Sequence, residues 1–122
     1  MKLEIRNWKL EMAFFMLALF FHTTYAQIKF QRTYGGSGYE EGRCVKQTWD
    51  GGYIIAGSTS SLGAGSTDVV LVKVDSMGNL QWQKTFGGNN IDKGYSLDIA
   101  ADSGFVICGY TNSFGNGGYD AY

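Results

Sequence analysis

The sequence predicts an all-β fold that is built from a repeated unit of short strands. Residues 30–70 align without a gap on residues 82–122, at a constant offset of about 52 residues. Runs of β-branched and aromatic residues alternate with glycine-rich turns in both copies. Substitutions between the copies keep the physical type of the residue, as where Tyr34 becomes Phe86 and Val45 becomes Leu97. Both copies should therefore form the same supersecondary unit with the same apolar faces.

Each unit is expected to contain four antiparallel strands. In the first copy they are predicted over residues 43–48, 53–59, 68–75 and 80–86. The turn at residues 49–52 combines Asp50 with two glycines, which supply the side-chain hydrogen bonds and positive φ angles of a tight hairpin. The turn at residues 75–79 is also predicted to be a hairpin, because it lacks the spaced ligands and the closing Glu of a calcium loop.

The third and fourth strands point to a particular all-β architecture. The third strand is apolar on both faces, which indicates a sheet packed between two others, whereas the fourth strand alternates in polarity like a half-exposed strand. Four strands ordered from a buried interior to a wetter edge predict a β-propeller blade. We expect a first blade over residues 36–87 and part of a second blade over residues 88–122, in an incomplete ring.

The two ends of the repeat region predict how the chain fits into a complete propeller. Residues 27–35 align with the fourth strand of the unit, so they are predicted to be the N-terminal strand that closes a propeller ring; the alternative is a partial first repeat. The second copy stops two residues into its third strand. Because isolated blades cannot bury their apolar faces, we expect this chain to be the beginning of a longer protein.

The first 26 residues are predicted to be a secretory signal peptide. Basic residues precede an unbroken apolar run over residues 12–21, and small residues follow at the positions that a signal peptidase reads. Cleavage is expected between Ala26 and Gln27, which would place the protein outside the cell or on its surface. The alternative is an uncleaved anchor, but the apolar run is about half of what spans a bilayer. No stable membrane span is expected after cleavage.

The charges limit the partners that the protein is expected to bind, and the cysteines limit the disulfides that it can form. After cleavage, the chain has seven basic and nine acidic side chains. This small excess of negative charge argues against a nucleic-acid-binding surface. Cys44 and Cys108 permit one disulfide in an exported chain. Their counterparts in the other copy are Ser96 and Ala56, however, so both cysteines are interpreted as small, buried, free thiols.

Catalytic, metal and cofactor sites are not expected in residues 27–122. The only histidine is His22, within the predicted signal peptide, so no Ser/His/Asp or Cys/His pair can form. Glu40, Glu41 and Asp92 follow the Gly-Gly turns and are interpreted as solvated charges; the alternative is the carboxylate pair of a glycoside hydrolase. The glycine runs at residues 35–38 and 115–118 lack the Lys-Ser/Thr pair and the helix of a phosphate loop.

Other polar and aromatic residues have structural and functional interpretations. Asp68 and Asp120 begin third strands after a glycine loop and are expected to accept hydrogen bonds from backbone amides. Five aromatic residues could stack on sugars if they lie on loops, although packing between blades is the commoner role. They are Tyr39, Trp49, Tyr95, Tyr110 and Tyr119, and Trp49 is the best candidate because it belongs to a hairpin turn.

The repeats resemble those of large secreted bacterial β-propeller proteins of the Bacteroidetes type. The resemblance is carried by residues 82–88 (WQKTFGG) and by residues 102–113 (DSGFVICGYTNS), and it extends over nearly all of residues 27–122. Two departures are Phe30, where a Trp is expected, and Ser103, where the middle Gly of the hairpin is expected. The resemblance implies an N-terminal fragment of an exported, non-catalytic scaffold that binds a protein or glycan. The alternative is part of a surface carbohydrate-active enzyme or glycan receptor.

Overall fold

The fold of the chain is all-β. A computed structural model describes residues 27–122, which contain seven strands and no helix. The predicted signal peptide at residues 1–26 lies outside the described residues. The strands are β1 (Glu40–Gln47), β2 (Tyr53–Thr59), β3 (Asp68–Val74), β4 (Leu80–Phe86), β5 (Asp92–Ile99), β6 (Phe105–Thr111) and β7 (Asp120–Ala121). The all-β class is confirmed, and the first strand begins three residues earlier than the sequence predicts.

The strands form two antiparallel sheets with matching registers. The first sheet has the order β1-β2-β3-β4 and the second has the order β5-β6-β7. Gly42 pairs with Gly57 in the first sheet, and Gly94 pairs with Gly109 at the corresponding position of the second. Each of these registers is interrupted by a bulge immediately afterwards, which leaves one residue of β1 or β5 unpaired. The two hairpins are therefore built in the same way.

The main core lies between the two sheets. Ile54, Ala56 and Leu71 lie on one face of the first sheet and are almost fully buried against Leu97 of the second sheet. Half-buried apolar side chains complete this core, namely Cys44, Trp82, Ile99, Phe105 and Ile107. Burial of apolar area drives this stacking, because each sheet covers a face that would otherwise be exposed to water.

A smaller core lies on the opposite face of the first sheet. Val70, Val72 and Val74 are buried there under Phe30 and Tyr34 of the N-terminal segment. Strand β3 is consequently buried along its whole length, as its two apolar faces predict. The N-terminal segment also donates a hydrogen bond of 2.7 Å from the Tyr34 hydroxyl to the Gly78 carbonyl oxygen.

The expectation that residues 27–35 form the strand that closes a propeller ring stays a prediction. These residues have no strand hydrogen bonding, although they pack on the first sheet through Phe30 and Tyr34. A strand requires a neighbouring strand with unpaired backbone groups. The N-terminal segment instead lies across a sheet face, where side chains and not backbone groups are presented.

The expectation for the cysteines is confirmed in one respect and wrong in another. Cys44 and Cys108 are both free thiols. Cys44 is half-buried in the main core, whereas Cys108 is exposed. The reason is that Cys108, like the exposed Val106, lies on the outward face of β6. No other layer of the described residues packs on that face.

Candidate functional site

The most deeply buried carboxylate in the second sheet is Asp92, at the start of β5. Its side chain accepts hydrogen bonds from the Gly88 amide (2.8 Å), the Ser113 hydroxyl (2.6 Å) and the Thr111 hydroxyl. Burial raises the pKa of Asp92, but these hydrogen bonds together outweigh burial and hold that pKa below its ordinary value. Asp92 therefore joins the Gly-Gly turn before β5 to the loop after β6.

Glu40 makes the equivalent connection at the start of β1. Its carboxylate accepts hydrogen bonds from the hydroxyls of Ser61 and Thr59 and from the Gly36 amide. The hydrogen bond from Ser61 is the main reason that the pKa of Glu40 lies below its ordinary value. The repeated Gly-Gly and Thr-x-Ser motifs thus have a structural role, because they supply the donors that a carboxylate at this position needs.

The interpretation of these acids as solvated charges is wrong for Asp92, which is 0 % exposed, and for Glu40, which is half-buried. Sequence spacing could not show that hydroxyls from a distant loop replace water around them. Glu41 forms an ion pair of 2.8 Å with Arg43. The Asp92 and Glu40 carboxylates are both held by hydrogen bonds from turn and loop residues.

The remaining predicted turn acids behave differently from one another. Asp68 accepts a hydrogen bond of 3.0 Å from the Gly65 amide, as expected. Asp120 Oδ2 has no hydrogen-bond partner among the described residues, so this expectation is not met for Asp120. Asp75 accepts hydrogen bonds from the amides of Met77 and Asn79, and its pKa is lowered by its contacts with Asn79. The turn at residues 75–79 is thus a hairpin, as predicted.

Three of the five candidate aromatic residues form a tyrosine cluster beside the bulges. The rings of Tyr95 and Tyr110 lie 5.8 Å apart, and those of Tyr110 and Tyr119 lie 4.9 Å apart. Arg43 lies 5.0 Å above the Tyr95 ring, so the residues at the two bulges contact each other across the sheets. Burial, followed by the neighbouring Tyr95, raises the pKa of Tyr110. Tyr110 lies on the outward face of the second sheet.

The other two candidate aromatic residues lie at opposite ends of the first hairpin. Tyr39 precedes β1, and its amide donates a hydrogen bond of 2.7 Å to the Ser60 hydroxyl. Trp49 lies in the turn between β1 and β2, and its side chain is 84 % exposed. Exposure of a tryptophan to this degree leaves both faces of the indole available, which is unusual for a residue that contributes packing energy.

Trp49 borders a groove between the turns of the two hairpins. The groove has a volume of about 260 Å³ and is partly open to solvent. Its lining combines apolar side chains with polar ones, namely Thr48, Trp49, Asp50, Lys73, Ile99, Ser103 and Phe105. This volume lies slightly below the range of about 300–1,000 Å³ that small-molecule sites occupy. We refer to this feature as the hairpin groove.

A buried lysine and an aspartate form the polar wall of the hairpin groove. Lys73 Nζ lies 2.8 Å from Asp50 Oδ2 and also donates to Gln81 Oε1 at 2.9 Å. The hydrogen bond from Lys73, followed by those from Thr48 and Gly52, holds the pKa of Asp50 far below its ordinary value. Sequence reasoning missed Lys73 as a groove residue. The available signal was a single charge within a β-branched run.

Ser103 also lines the hairpin groove, and it has a strained backbone conformation. Its φ angle is +66°, in the left-handed region that residues other than glycine rarely adopt. The counterpart in the first hairpin is Gly51, with a φ angle of +80°. The sequence showed that Ser103 departs from the expected glycine, but it did not show that Ser103 lines the same groove as Trp49.

No family model matches this chain, and no curated protein or solved structure is significantly similar to it. Within residues 27–122, no helix is long and apolar enough to cross a membrane. The same residues contain no group of three or more His, Cys, Asp or Glu side chains arranged to hold a metal ion.

Proposed function

We propose that this chain is part of an exported, non-catalytic β-propeller scaffold that binds a protein or glycan outside the cell or on its surface. The observation that carries the proposal is a repeated contact between layers. Phe30 packs on Tyr53 with ring centroids 5.7 Å apart, and Trp82 packs on Phe105 with ring centroids 6.1 Å apart. These pairs occupy equivalent positions in the two copies.

The repeated contact supports a regular stack of sheets. The N-terminal segment places Phe30 against the first sheet as β4 places Trp82 against the second sheet. The two sheets pack on each other through faces that are not equivalent in the two copies. The outward face of each sheet therefore corresponds to the face that the other sheet buries in the main core. Continued stacking of this kind around an axis would produce the blades of a propeller.

The state of the carboxylates supports a binding function over a catalytic one. Hydrolysis of a glycoside requires two carboxyl groups that face a substrate across an open space of about 5–10 Å. Asp92 and Glu40 instead accept several hydrogen bonds each from turn and loop residues. Glu41 is paired with Arg43. A carbohydrate-active enzyme would therefore need catalytic residues other than the three that the sequence suggested.

The proposal is tested by locating and assaying the natural gene product. N-terminal sequencing of protein recovered from the culture medium or the outer surface should begin at Gln27. An experimental structure should show equivalent sheets stacked around an axis. Incubation with polysaccharides and peptides should release no product. Retention of residues 1–26 in a cytoplasmic protein would contradict export, and steady product release would contradict the non-catalytic role.

A further inference from the structure

The two residues in which the hairpin turns depart most from their shared pattern line the same groove. Trp49 corresponds to Ala101, and Ser103 corresponds to Gly51. Both Trp49 and Ser103 line the hairpin groove. The fold does not require either side chain, since the other copy forms the same hairpin without it. The groove therefore contains an exposed indole and a strained serine that packing does not explain, which is a common property of functional sites.

The groove is amphipathic and close to electrically neutral. Ile99 and Phe105 supply apolar surface, and the indole of Trp49 is 84 % exposed. The positive charge of Lys73 is offset by Asp50 at 2.8 Å, so the polar wall presents hydrogen-bonding groups without a net charge. Asp50 Oδ2 accepts a hydrogen bond only from Lys73, and its side chain is 55 % exposed. It therefore retains lone pairs for a ligand.

We infer that the hairpin groove binds a neutral oligosaccharide. A pyranose ring presents an apolar face of C–H groups and a rim of hydroxyls, which complements an exposed indole beside a neutral polar wall. In this arrangement Trp49 stacks on the sugar ring, and Asp50 and Ser103 form hydrogen bonds to its hydroxyls. The inference rests on the proposed binding function and adds the site and the ligand class.

The position of the groove is compatible with a stacked assembly. It opens at the ends of the strands, between the β1–β2 turn and the β5–β6 turn, and not on either outward sheet face. Further layers on those faces would leave the groove open. Trp49 also lines a neighbouring depression with Gln47, Gly51 and Ile99, so a chain of more than one sugar has room to extend.

Isothermal titration calorimetry on the purified chain tests the inference. The probes are linear, neutral hexose hexamers that differ in linkage, such as α-1,4- and β-1,4-linked glucose, each at millimolar concentration. At least one hexamer should bind, and its binding should reduce acrylamide quenching of tryptophan fluorescence because the sugar covers Trp49. The absence of binding by every hexamer would overturn the inference, while export and the stacked fold could still be correct.

Three variants assign the binding to the groove. Trp49→Ala makes the first turn resemble the second, so it should fold, and it should weaken binding by about tenfold or more. Ser103→Gly should weaken binding several-fold while raising the melting temperature, which separates ligand contact from stability. Tyr39→Ala removes an exposed aromatic residue at the other end of the hairpin and should not change the Kd. Equal affinity of Trp49→Ala and Tyr39→Ala would overturn the inference.

Discussion

The Asp92 carboxylate provides the sharpest test of how the repeat is held together. Replacement of Asp92 by Ala removes the acceptor for the Thr111 hydroxyl, the Ser113 hydroxyl and the Gly88 amide. Thr111 is 2 % exposed, so water cannot readily replace the lost partner there. We expect this variant to lose much of the connection between the Gly-Gly turn and the loop after β6.

The magnitude follows from the burial of each donor. Loss of a partner by a buried polar group costs about 1–3 kcal/mol, and this full cost applies to Thr111. Ser113 and Gly88 are half-buried and can be partly rehydrated, so each should add less than about 1 kcal/mol. The free energy of unfolding should fall by about 2–4 kcal/mol in total, which is large against a typical stability of about 5–15 kcal/mol.

Urea denaturation followed by circular dichroism measures this loss, with the slope expected to stay unchanged. Asp98→Ala is the matched control, because the Asp98 side chain is 81 % exposed and its ion pair with Lys46 is long, at 3.6 Å. The control should change stability by less than about 0.5 kcal/mol. If Asp92→Ala costs no more than Asp98→Ala, the carboxylate does not hold the turn and the loop together.

Three further outcomes are expected from the same assay. Ser103→Gly should raise the free energy of unfolding by about 0.5–1 kcal/mol, since glycine adopts a positive φ without steric cost; a loss of stability would contradict this reasoning. Gly109→Ala should cost at least about 3 kcal/mol, because the added Cβ would lie 1.8 Å from the Lys93 carbonyl oxygen. The Cβ added in Gly51→Ala would have no atom within 4 Å, so this variant should cost only about 1 kcal/mol for its positive φ. Equal losses in the two alanine variants would argue against the close backbone approach at Gly109. Stability should also fall as the pH drops below about 4, because the folded pKa of Asp92 lies below its unfolded value and the carboxylate must be protonated in acid. A urea midpoint that does not change between neutral and acidic pH, or an Asp92→Asn variant with an equally steep pH dependence, would contradict that assignment.

The sequence alone determined the strands and turns of the repeat, because these depend on local chemistry. The run of residues 68–74 is apolar at five of its seven positions, and the structure buries it on both faces. The glycines and Asp75 or Asp50 at the turns specify hairpins through positive φ angles and short-range hydrogen bonds. The pairing of the N-terminal segment is not a local property, because it depends on a partner strand from another part of the fold.

The tertiary structure alone decided which of the residues beside the turns are buried and which are exposed. Asp92 and Trp49 both stand next to predicted turns, yet Asp92 is fully buried and Trp49 is 84 % exposed. The difference arises because Thr111 and Ser113, about 20 residues along the chain, fold back on Asp92, whereas nothing comparable covers Trp49. Trp49 and Ser103 line one groove because the two sheets stack on each other. Local sequence patterns cannot predict this, because they contain no information on the distance between two hairpins.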